Sequence, residues 1–356
     1  MAVIRPFGLN DILLLLGLQH NSVTLAIEHI LTHPRAPLWT ALTAPWPWAG
    51  VGVATYVLIE NREDGPMTGF VQLMKRAARP EADILHLAPA LLTVENSEAA
   101  WDRLLSHCTP AAASHGLQRV FASIPDGGPE EARLKEAGFS LYTRETIYRL
   151  AVVPASGGTG RVAPERGAGL RPQLPQDSWA LQRLYTGGTP RLVQLSEGAI
   201  TGEVGSPPLS WWEPDSWQGI VWEPAGEIRG AVQVHIGRAG HWVRIWGINM
   251  LTAREMRSLV AQGLHAVTAA SRGVPTSFRG EVPAPFRGRG KPLPVYVTVR
   301  DYEMGIGAIL TGFGFAPYIN RARFVKHTGA TVRRPVSATA TARSVEARQE
   351  LRPVRQ

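Results

Sequence analysis

Cysteine is almost absent from this chain of 356 residues, which contains only Cys108. A single thiol excludes an internal disulfide framework, and it excludes a metal site built from several thiolate ligands. Because disulfides are rare in reducing compartments, this cysteine usage is typical of a cytoplasmic protein.

Long apolar runs are also missing. The segment DILLLLGL at Asp11–Leu18 is apolar, but it is shorter than the ~20 residues that cross a bilayer. No basic segment followed by a small-residue cleavage site surrounds it, so it does not resemble a signal peptide. We therefore expect a soluble cytoplasmic protein with no membrane partner.

Charged residues are few, at 19% against 44% hydrophobic residues, which excludes a chain that is disordered throughout. The formal net charge is +8, but half of it lies in segment 329–356, where six arginines face two glutamates. That segment is rich in Ser, Thr, Ala and Pro, and we expect a disordered basic tail. A nucleic-acid partner is therefore not expected.

The sequence does contain one phrase twice. GPMTGFVQLM stands at Gly65–Met74 and GEIRGAVQVH at Gly226–His235. In each, two glycines four residues apart lead into a short apolar strand that contains Val-Gln. Other matches follow in the same order in both halves of the chain, which predicts an internal duplication.

The opening of each copy shows one such match. VIRP at Val3–Pro6 and GLRP at Gly169–Pro172 both predict a strand that ends in Arg-Pro. A helix follows in each copy, and Asn10 or Asp11 caps the first as Asp177 caps the second.

The end of each copy shows another match between the two halves of the chain. A predicted strand at 84–94 or 241–250 leads into a helix, and then a buried strand and a short helix precede Gly-Phe and a final strand. Gly-Phe stands at 138–139 and again at 314–315. The duplication predicts an α/β (α+β) fold with two domains, each a mixed, mostly antiparallel sheet flanked by helices. The predicted bounds are 1–153, a flexible linker at 154–168, 169–328, and the tail.

This order of elements resembles the GNAT superfamily of N-acetyltransferases, here in tandem. The resemblance is carried by the Arg-Pro openings, the GFVQ and GAVQ strands, and the closing segments RLKEAGF…YTRETIYRL and AILTGFGFAPYINRARF. It implies that the fourth and fifth strands of each copy splay apart, and that the pantetheine arm of acyl-CoA pairs with the exposed strand edge. The implied cofactor is acetyl-CoA or another acyl-CoA, and the implied acceptor is a small-molecule amine or a protein amine.

In the first copy, the resemblance places the pantetheine against the strand backbone around Leu92 and Val94. Backbone amides from Asn96 to Ala100, with Ala99 between them, would then lie near the phosphates. The family has Gln/Arg-x-x-Gly-x-Gly/Ala in this loop, where the glycines let backbone amides approach the diphosphate.

This chain departs from that loop pattern in both copies. The glycine positions align with Ala99 and Trp101 in the first copy, and with Arg254 and Met256 in the second. With strands predicted to end at 94 and 250, no glycine lies between either strand and the middle of its helix. A Trp101 or Met256 side chain in the phosphate path would obstruct a diphosphate.

The catalytic residues are also altered. Many family members have a Tyr four residues before the Gly of Gly-Phe, where it protonates the departing thiolate. This chain has Leu134 and Leu310 at that offset. Glu95 is the remaining candidate for a general base, but a lone Glu at a helix start also complements the helix dipole.

Two further patterns have structural explanations beside functional ones. His29 and His33 have helical spacing for a metal, but Pro34 displaces His33 from the helix and no third ligand follows, so no metal site is expected. His235 and His241 flank a hairpin and are interpreted as surface or cleft residues. Gly305 and Gly307 either ease a strand-to-helix turn or admit a ligand.

Tryptophan is concentrated in two Pro-rich stretches that follow the first helix of each copy. They form either an apolar wall for the acceptor or the interface between the copies. The residues are Trp39, Trp46, Trp48, Trp211, Trp212 and Trp217.

Two functions therefore remain open. In one, a copy works as an acyl-CoA-dependent N-acetyltransferase, with amides that stabilise the oxyanion. In the other, both copies have lost the cofactor site and the fold serves as a catalytically inactive ligand-binding or scaffolding protein.

Overall fold

A computed structural model shows where the elements of the two copies lie. None of its described helices combines the length and apolarity needed to cross a membrane. The structure describes residues 2–44, 52–62, 65–76, 79–93, 96–153, 169–198, 217–271 and 292–329.

The first copy contains seven strands and five helices within the described residues. Its strands are β1 (Ala2–Pro6), β2 (Val23–Thr24), β3 (Val53–Arg62), β4 (Gly65–Lys75), β5 (Glu81–Ala88), β6 (Arg119–Pro125) and β7 (Ser140–Leu150). Its helices are α1 (Ile12–Leu18), α2 (Ile27–Thr32), α3 (Pro37–Thr43), α4 (Ser97–Ser114) and α5 (Glu130–Glu136).

The second copy repeats this order. Its described strands are β8 (Leu170–Pro172), β9 (Trp217–Trp222), β10 (Gly230–Ile236), β11 (His241–Trp246), β12 (Val295–Arg300) and β13 (Ala316–His327). Its described helices are α6 (Ser178–Gly188), α7 (Arg191–Ser196), α8 (Ala253–Ser271) and α9 (Ile306–Gly312). The predicted linker and nearly all of the predicted tail lie outside the described residues, and the domain bounds stay predictions.

The repeated Arg-Pro opening makes the same contact in both copies. Arg5 donates two hydrogen bonds to Asp11, at 2.7 and 2.6 Å, and Arg171 donates two to Asp177, at 2.7 and 2.9 Å. Each aspartate also accepts a bond from the backbone N–H three residues before it. Strand and helix are thus tied together by a bidentate ion pair, which explains why Arg and Asp recur at the same spacing.

The repeated Gly-Val-Gln phrase is explained by packing. A Cβ at Gly69 would lie 2.7 Å from the carbonyl oxygen of Ala88, and one at Gly230 would lie 2.9 Å from the side chains of Leu251 and Leu259. Only glycine lets these strands pack so closely against their neighbours.

The glutamine of the phrase is a buried polar residue in each copy. Gln72 donates to the carbonyl of Pro37 at 2.8 Å, and Gln233 donates to Gln173 at 2.7 Å. These bonds replace the water that the buried amides have lost.

The two copies share one mixed sheet, and they exchange their final strands. The strand order is β1-β3-β4-β5-β6-β13-β7-β12-β11-β10-β9-β8, with β2 attached to β5. Strand β13 of the second copy pairs with β6 of the first, while β7 of the first pairs with β12 of the second. Strands β7 and β13 pair with each other in the centre. The predicted fold class, a mixed sheet flanked by helices, is confirmed, whereas the exchange was not predicted.

Helices cover both halves of the sheet. Helix α4 packs on β4, β5 and β6, and α8 packs on β9, β10 and β11. The large apolar clusters lie between these helices and the strands. Two short helices cross to the other copy, since α2 packs on β11 and α7 packs on β7. The copies are therefore joined by helices as well as by strands.

Candidate functional site

Each copy contains a parallel strand pair that opens into a cleft. Strands β5 and β6 pair from Glu81 opposite Arg119 to Asp83 opposite Phe121, and β11 and β12 pair from His241 opposite Val295 to Val243 opposite Val297. In the described chain both ladders stop after these three pairs. The strands then separate, as the resemblance implied, and leave a strand edge on each side of the gap.

The N-terminal cleft is filled by the chain itself. Strand β2 pairs with β5, and the next residue, Leu25, donates its N–H to the Leu85 carbonyl at 2.9 Å. On the other side, the Ser123 N–H donates to the Leu25 carbonyl at 2.8 Å. This segment lies where an added ligand strand would pair, so the N-terminal cleft does not fit a pantetheine arm.

A small cavity remains beside this segment. Its charged lining groups are paired with one another: Arg323 Nη1 lies 3.0 Å from Glu28 Oε1 and 3.2 Å from Glu145 Oε2. Burial raises the pKa of Glu28, an effect that Arg323 opposes. Leu25, which pairs with both strand edges, also lines this cavity.

The cofactor-binding residues predicted in this copy lie beyond the strand. Strand β5 ends at Ala88, because Pro89 has no N–H to continue the ladder. Leu92 lies in an exposed turn with a φ of 64°, and Asn96 precedes α4 with a φ of 62°. The predicted strand at 84–94 is therefore too long.

The remaining predicted residues of this loop are divided between core and surface. Ala100 is fully buried and Ala99 is half-buried on α4. Val94 and the predicted base Glu95 lie outside the described residues. The assignment of these residues to cofactor binding or catalysis stays a prediction.

Trp101 is part of the core. Its side chain is fully buried among the apolar residues of the first copy, and its Nε1–H donates to the Pro89 carbonyl at 2.7 Å. Met256, its counterpart in the second copy, is also buried in the core. The expectation that these two side chains obstruct a phosphate path is wrong, because both are packed in the apolar cores.

The loop that follows β11 contains a glycine that the predicted strand concealed. Strand β11 ends at Trp246 and not at residue 250, and Gly247 follows with a φ of 81°. A Cβ there would lie 2.5 Å from the Arg229 carbonyl oxygen. The prediction of a loop without glycine is wrong for this copy. This glycine allows the loop to pack on the preceding turn.

Helix α8 begins with its own cap. The Thr252 N–H donates to Glu255 Oε2 at 2.7 Å, and the Glu255 N–H donates to Thr252 Oγ1 at 3.4 Å. This reciprocal pair is a capping box, and it places the Glu255 carboxylate at the start of the helix. The nucleotide diphosphate of acyl-CoA does not suit this end of the helix, because it would meet the charge of that carboxylate.

The C-terminal cleft contains a small cavity. It lies between β11, the loop after β12 and the end of α6. Its lining residues include Tyr185, Arg244, Trp246, Tyr302 and Glu303. Arg244, Ile245 and Trp246 of β11 border this cavity.

A buried ion pair forms the floor of this cleft. Arg300 is bound to Glu197, with Nη1 3.3 Å from Oε2, and the Tyr185 hydroxyl donates to the same carboxylate at 2.6 Å. Burial alone would raise the pKa of Glu197, but Arg300 and Arg244 lower it to about 2. Glu197 is therefore ionised and engaged at neutral pH.

Tyr302 and Glu303, which follow Arg300 in the chain, supply groups suited to proton transfer. Arg300 Nη1 donates to the Tyr302 hydroxyl oxygen at 2.7 Å, and its backbone N–H donates to Glu303 Oε2 at 2.8 Å. Burial raises the pKa of Glu303 and of Tyr302, and Arg300 opposes both shifts. Sequence reasoning missed this pair, because a lone Tyr-Glu after a strand has no distinguishing pattern.

The first copy holds the loop that carries this pair. The Asp301 N–H donates to the Arg144 carbonyl at 3.0 Å, and the Thr143 hydroxyl donates to Asp301 Oδ1 at 3.0 Å. Gly307 lies against the Tyr148 hydroxyl, and Gly305 caps α9 with a φ of 83°. The two glycines therefore serve the turn and its packing against β7.

The histidines lie between the copies. His33 follows the end of α2, and its Nδ1 lies 3.4 Å from His235 Nε2. His235 and His241 are both buried, so their interpretation as surface residues is wrong, and a place in a cleft stays a prediction. Among the described residues, no group of three His, Cys, Asp or Glu side chains is arranged to hold a metal.

The tryptophan stretches fall mostly outside the described residues. Of the six, Trp39 is described and is 66% exposed on α3, and Trp217 is described in its backbone only. Their roles stay predictions.

Comparison with known proteins gives matches only among solved structures. No family model and no curated protein matches the chain. A tandem GNAT protein from the clavulanic acid biosynthesis pathway is 17% identical, with a TM-score of 0.45, and the match covers 93% of this chain and 100% of that one. A GCN5-related N-acetyltransferase from Sphaerobacter thermophilus is 13% identical, with a TM-score of 0.46, and the match covers 92% and 96%.

A third match covers less of the chain. A GCN5-related N-acetyltransferase from Kribbella flavida is 14% identical, with a TM-score of 0.41, and the match covers 72% of this chain and 86% of that one. At these identities the likeness concerns the fold. Along nearly all of its length, the chain is similar in structure to a tandem GNAT protein.

Proposed function

We propose that this protein is an acyltransferase that moves an acyl group from a thioester to an amine in its C-terminal cleft. The observation that carries this proposal is the contrast between the two clefts. The N-terminal strand edges are paired with the chain's own Leu25, whereas the C-terminal edge borders a cavity that is lined by a carboxylate and a phenol. The N-terminal copy then has a structural role.

The thioester arm binds along β11. A pantetheine arm contains two amides, and these pair with a strand edge as an added peptide strand does. The edge at Arg244 and Ile245 borders the cavity, so an arm there would bring its thioester to the loop after β12. Positioning of the two reactants supplies a large part of the rate gain.

Glu303 accepts the proton that the attacking amine loses. Its carboxylate lines the cavity, and its raised pKa moves its basicity towards neutral pH, where a general base is most effective. The Tyr302 hydroxyl donates a proton to the departing thiolate. Because Arg300 donates to the Tyr302 oxygen, the phenolic O–H does not bond to Arg300 and can be donated to another acceptor.

Thiol release from an acetyl thioester tests the proposal. Acetyl-CoA and S-acetylpantetheine would each be mixed with a panel of primary amines, and the thiol read with a chromogenic reagent. The protein's own thiol adds little background to this assay. Cys108 is buried, and burial raises the pKa of its thiol to about 12. We expect amine-dependent thiol release with at least one thioester.

A matched pair of variants locates the site. Gly188 lines the C-terminal cavity, and Gly17 lies on α1 of the first copy; a Cβ at either meets nothing within 4 Å. Gly188→Leu should block thiol release, and Gly17→Leu should leave it unchanged. Full activity in Gly188→Leu would contradict a C-terminal site.

A ligand-binding protein without chemistry is the second candidate. The closed N-terminal cleft favours it, because one copy has already lost its strand edges. This candidate predicts thioester binding by calorimetry with no thiol release above that of buffer.

A further inference from the structure

The first turn of α8 distinguishes between possible acyl donors. A pantetheine arm along the edge of β11 would carry whatever is attached to it towards the helix that follows this strand. The residue that caps this helix, Thr252, donates its N–H to Glu255 Oε2 at 2.7 Å, so a carboxylate lies at the start of α8. A phosphate brought to the same place would meet a like charge, and it would have to displace an existing hydrogen bond.

The loop that leads into this turn is also closed on itself. The Met250 N–H donates to the Gly247 carbonyl at 2.8 Å, and the Asn249 side chain donates to the Gly188 carbonyl at 3.0 Å. Leu251 is buried against Gly230. Within this loop, the Met250 N–H and the Asn249 side-chain amide are therefore already engaged by the protein, and neither is left to cradle a phosphate.

Positive charge is present near the first turn but outside it. Arg254 and Arg257 lie on exposed positions of α8. Exposed arginines attract anions weakly, because water and salt screen them. They are the groups that a diphosphate would use if it bound along the outside of the helix.

We infer that the C-terminal cleft recognises its acyl donor through the pantetheine arm alone, with no nucleotide diphosphate bound at the start of α8. This inference rests on the proposed function. The donor is then a thioester of a pantetheine-type arm, which is either a small thioester or an arm attached to a carrier protein.

Calorimetric titration of the full-length protein with S-acetylpantetheine and with acetyl-CoA tests the inference. We expect the two dissociation constants to agree within about threefold, since the nucleotide adds no contact. Binding of acetyl-CoA that is at least about tenfold tighter would overturn the inference and leave the proposed function standing. If neither thioester binds, the proposed function fails and the inference fails with it.

A charge-neutral variant sharpens the test. Glu255→Gln keeps the capping box, because Gln serves as well as Glu at this position, and it removes the negative charge. It should tighten acetyl-CoA binding by about two- to fivefold and leave S-acetylpantetheine unchanged. Glu98→Gln changes the first turn of α4 beside the filled cleft, and it should alter neither constant. Equal effects of Glu255→Gln on both thioesters would contradict a role for its charge against the diphosphate.

If the donor arm is attached to a carrier protein, a third titration shows it. An acetylated 4′-phosphopantetheinyl carrier protein should then bind more tightly than S-acetylpantetheine. Equal affinity would assign the cleft to small thioesters.

Discussion

Glu303 is the residue on which the proposed proton transfer depends. Glu303→Gln removes the base and keeps an oxygen to accept the backbone N–H of Arg300. Since general-base catalysis contributes roughly 10²–10⁴-fold, we expect a rate loss of that size with unchanged thioester affinity. Steady-state thiol release measures the rate, and calorimetry measures the thioester affinity.

The pH dependence of the rate gives an independent check on the same residue. The base form of Glu303 is required, so the rate should fall as the pH falls through its raised pKa. In Glu303→Gln this acid limb should disappear. An unchanged acid limb would assign the base to another group.

The buried Trp101 side chain stabilises the folded protein. Trp101→Phe removes the bond to the Pro89 carbonyl and leaves that oxygen buried. We expect a loss of about 2–3 kcal/mol in the free energy of unfolding, measured with urea. Trp39→Phe, at an exposed position, should change it by less than about 0.5 kcal/mol. Similar losses in both variants would contradict the core position of Trp101.

The spacing of apolar residues along α4 predicts that Trp101 is buried. Ala100, Trp101, Leu104, Leu105 and Cys108 follow helical spacing, which predicts a buried face and places Trp101 on it. An alignment to a loop motif obscured that periodicity. Glu303 could not be found in this way, because its role depends on Arg300 and on a cavity built by distant elements.

Strand β2 is the element that separates the two clefts in function. Leu25 is 1% exposed at its end. Leu25→Ala should reduce the free energy of unfolding by about 2–5 kcal/mol, because it leaves a cavity in the core. Thiol release by the folded variant should be unchanged, since the working cleft lies in the other copy. Leu13→Ala, at a residue of α1 that is 80% exposed, is the matched control for stability.

The contact between α2 and the second copy predicts a dependence of stability on pH. Burial lowers the pKa of His29 to about 4 and that of His235 to about 3. The unfolded chain binds these protons near the ordinary value of 6.5, so stability should fall as the pH falls below it. Between pH 7 and 5 each histidine should cost up to about 2 kcal/mol, measured by urea unfolding at both values. A pH-independent midpoint would contradict the buried, neutral state of these rings.

Element order was predictable, but element ends were not. Apolar residues continue past Ala88 and past Trp246, so both strands were predicted too long. The ends are set by Pro89 and by the left-handed Gly247, which act through backbone geometry. Strand β2 was missed entirely, because two residues carry no periodicity.

For the whole molecule, the strand exchange makes each copy incomplete alone. Strand β6 pairs with β13 over seven residue pairs from Arg321 to His327. A chain of residues 1–153 should therefore expose the edge of β6 and fail to form a stable monomer. Size-exclusion chromatography and circular dichroism would check this.

Complementation supplies the control for that prediction. Co-expression of 1–153 with 169–356 should restore a one-to-one complex with the thiol-release activity of the full chain. A folded, monomeric 1–153 fragment would contradict the exchange.

The duplication was visible in the sequence, whereas the exchange was not. The repeat is visible because Arg5 and Arg171 each bind an aspartate six residues later, and because Gln72 and Gln233 stand at the same place in a repeated strand. The final strands β7 and β13 have the same pattern as each other, so nothing local specifies which copy each one completes. That choice depends on pairing across the whole chain, including the Thr143 bond to Asp301.

The exchange also sets the order in which the protein can be completed during its synthesis. About 190 residues are added between the end of β6 at Pro125 and the start of β13 at Ala316. At 5–20 residues per second, the edge of β6 waits roughly 10 to 40 s for its partner on the ribosome. Through that interval the nascent first half carries an unpaired strand that is open to chaperones and to neighbouring chains. The last strand to be made is the one that closes the first half.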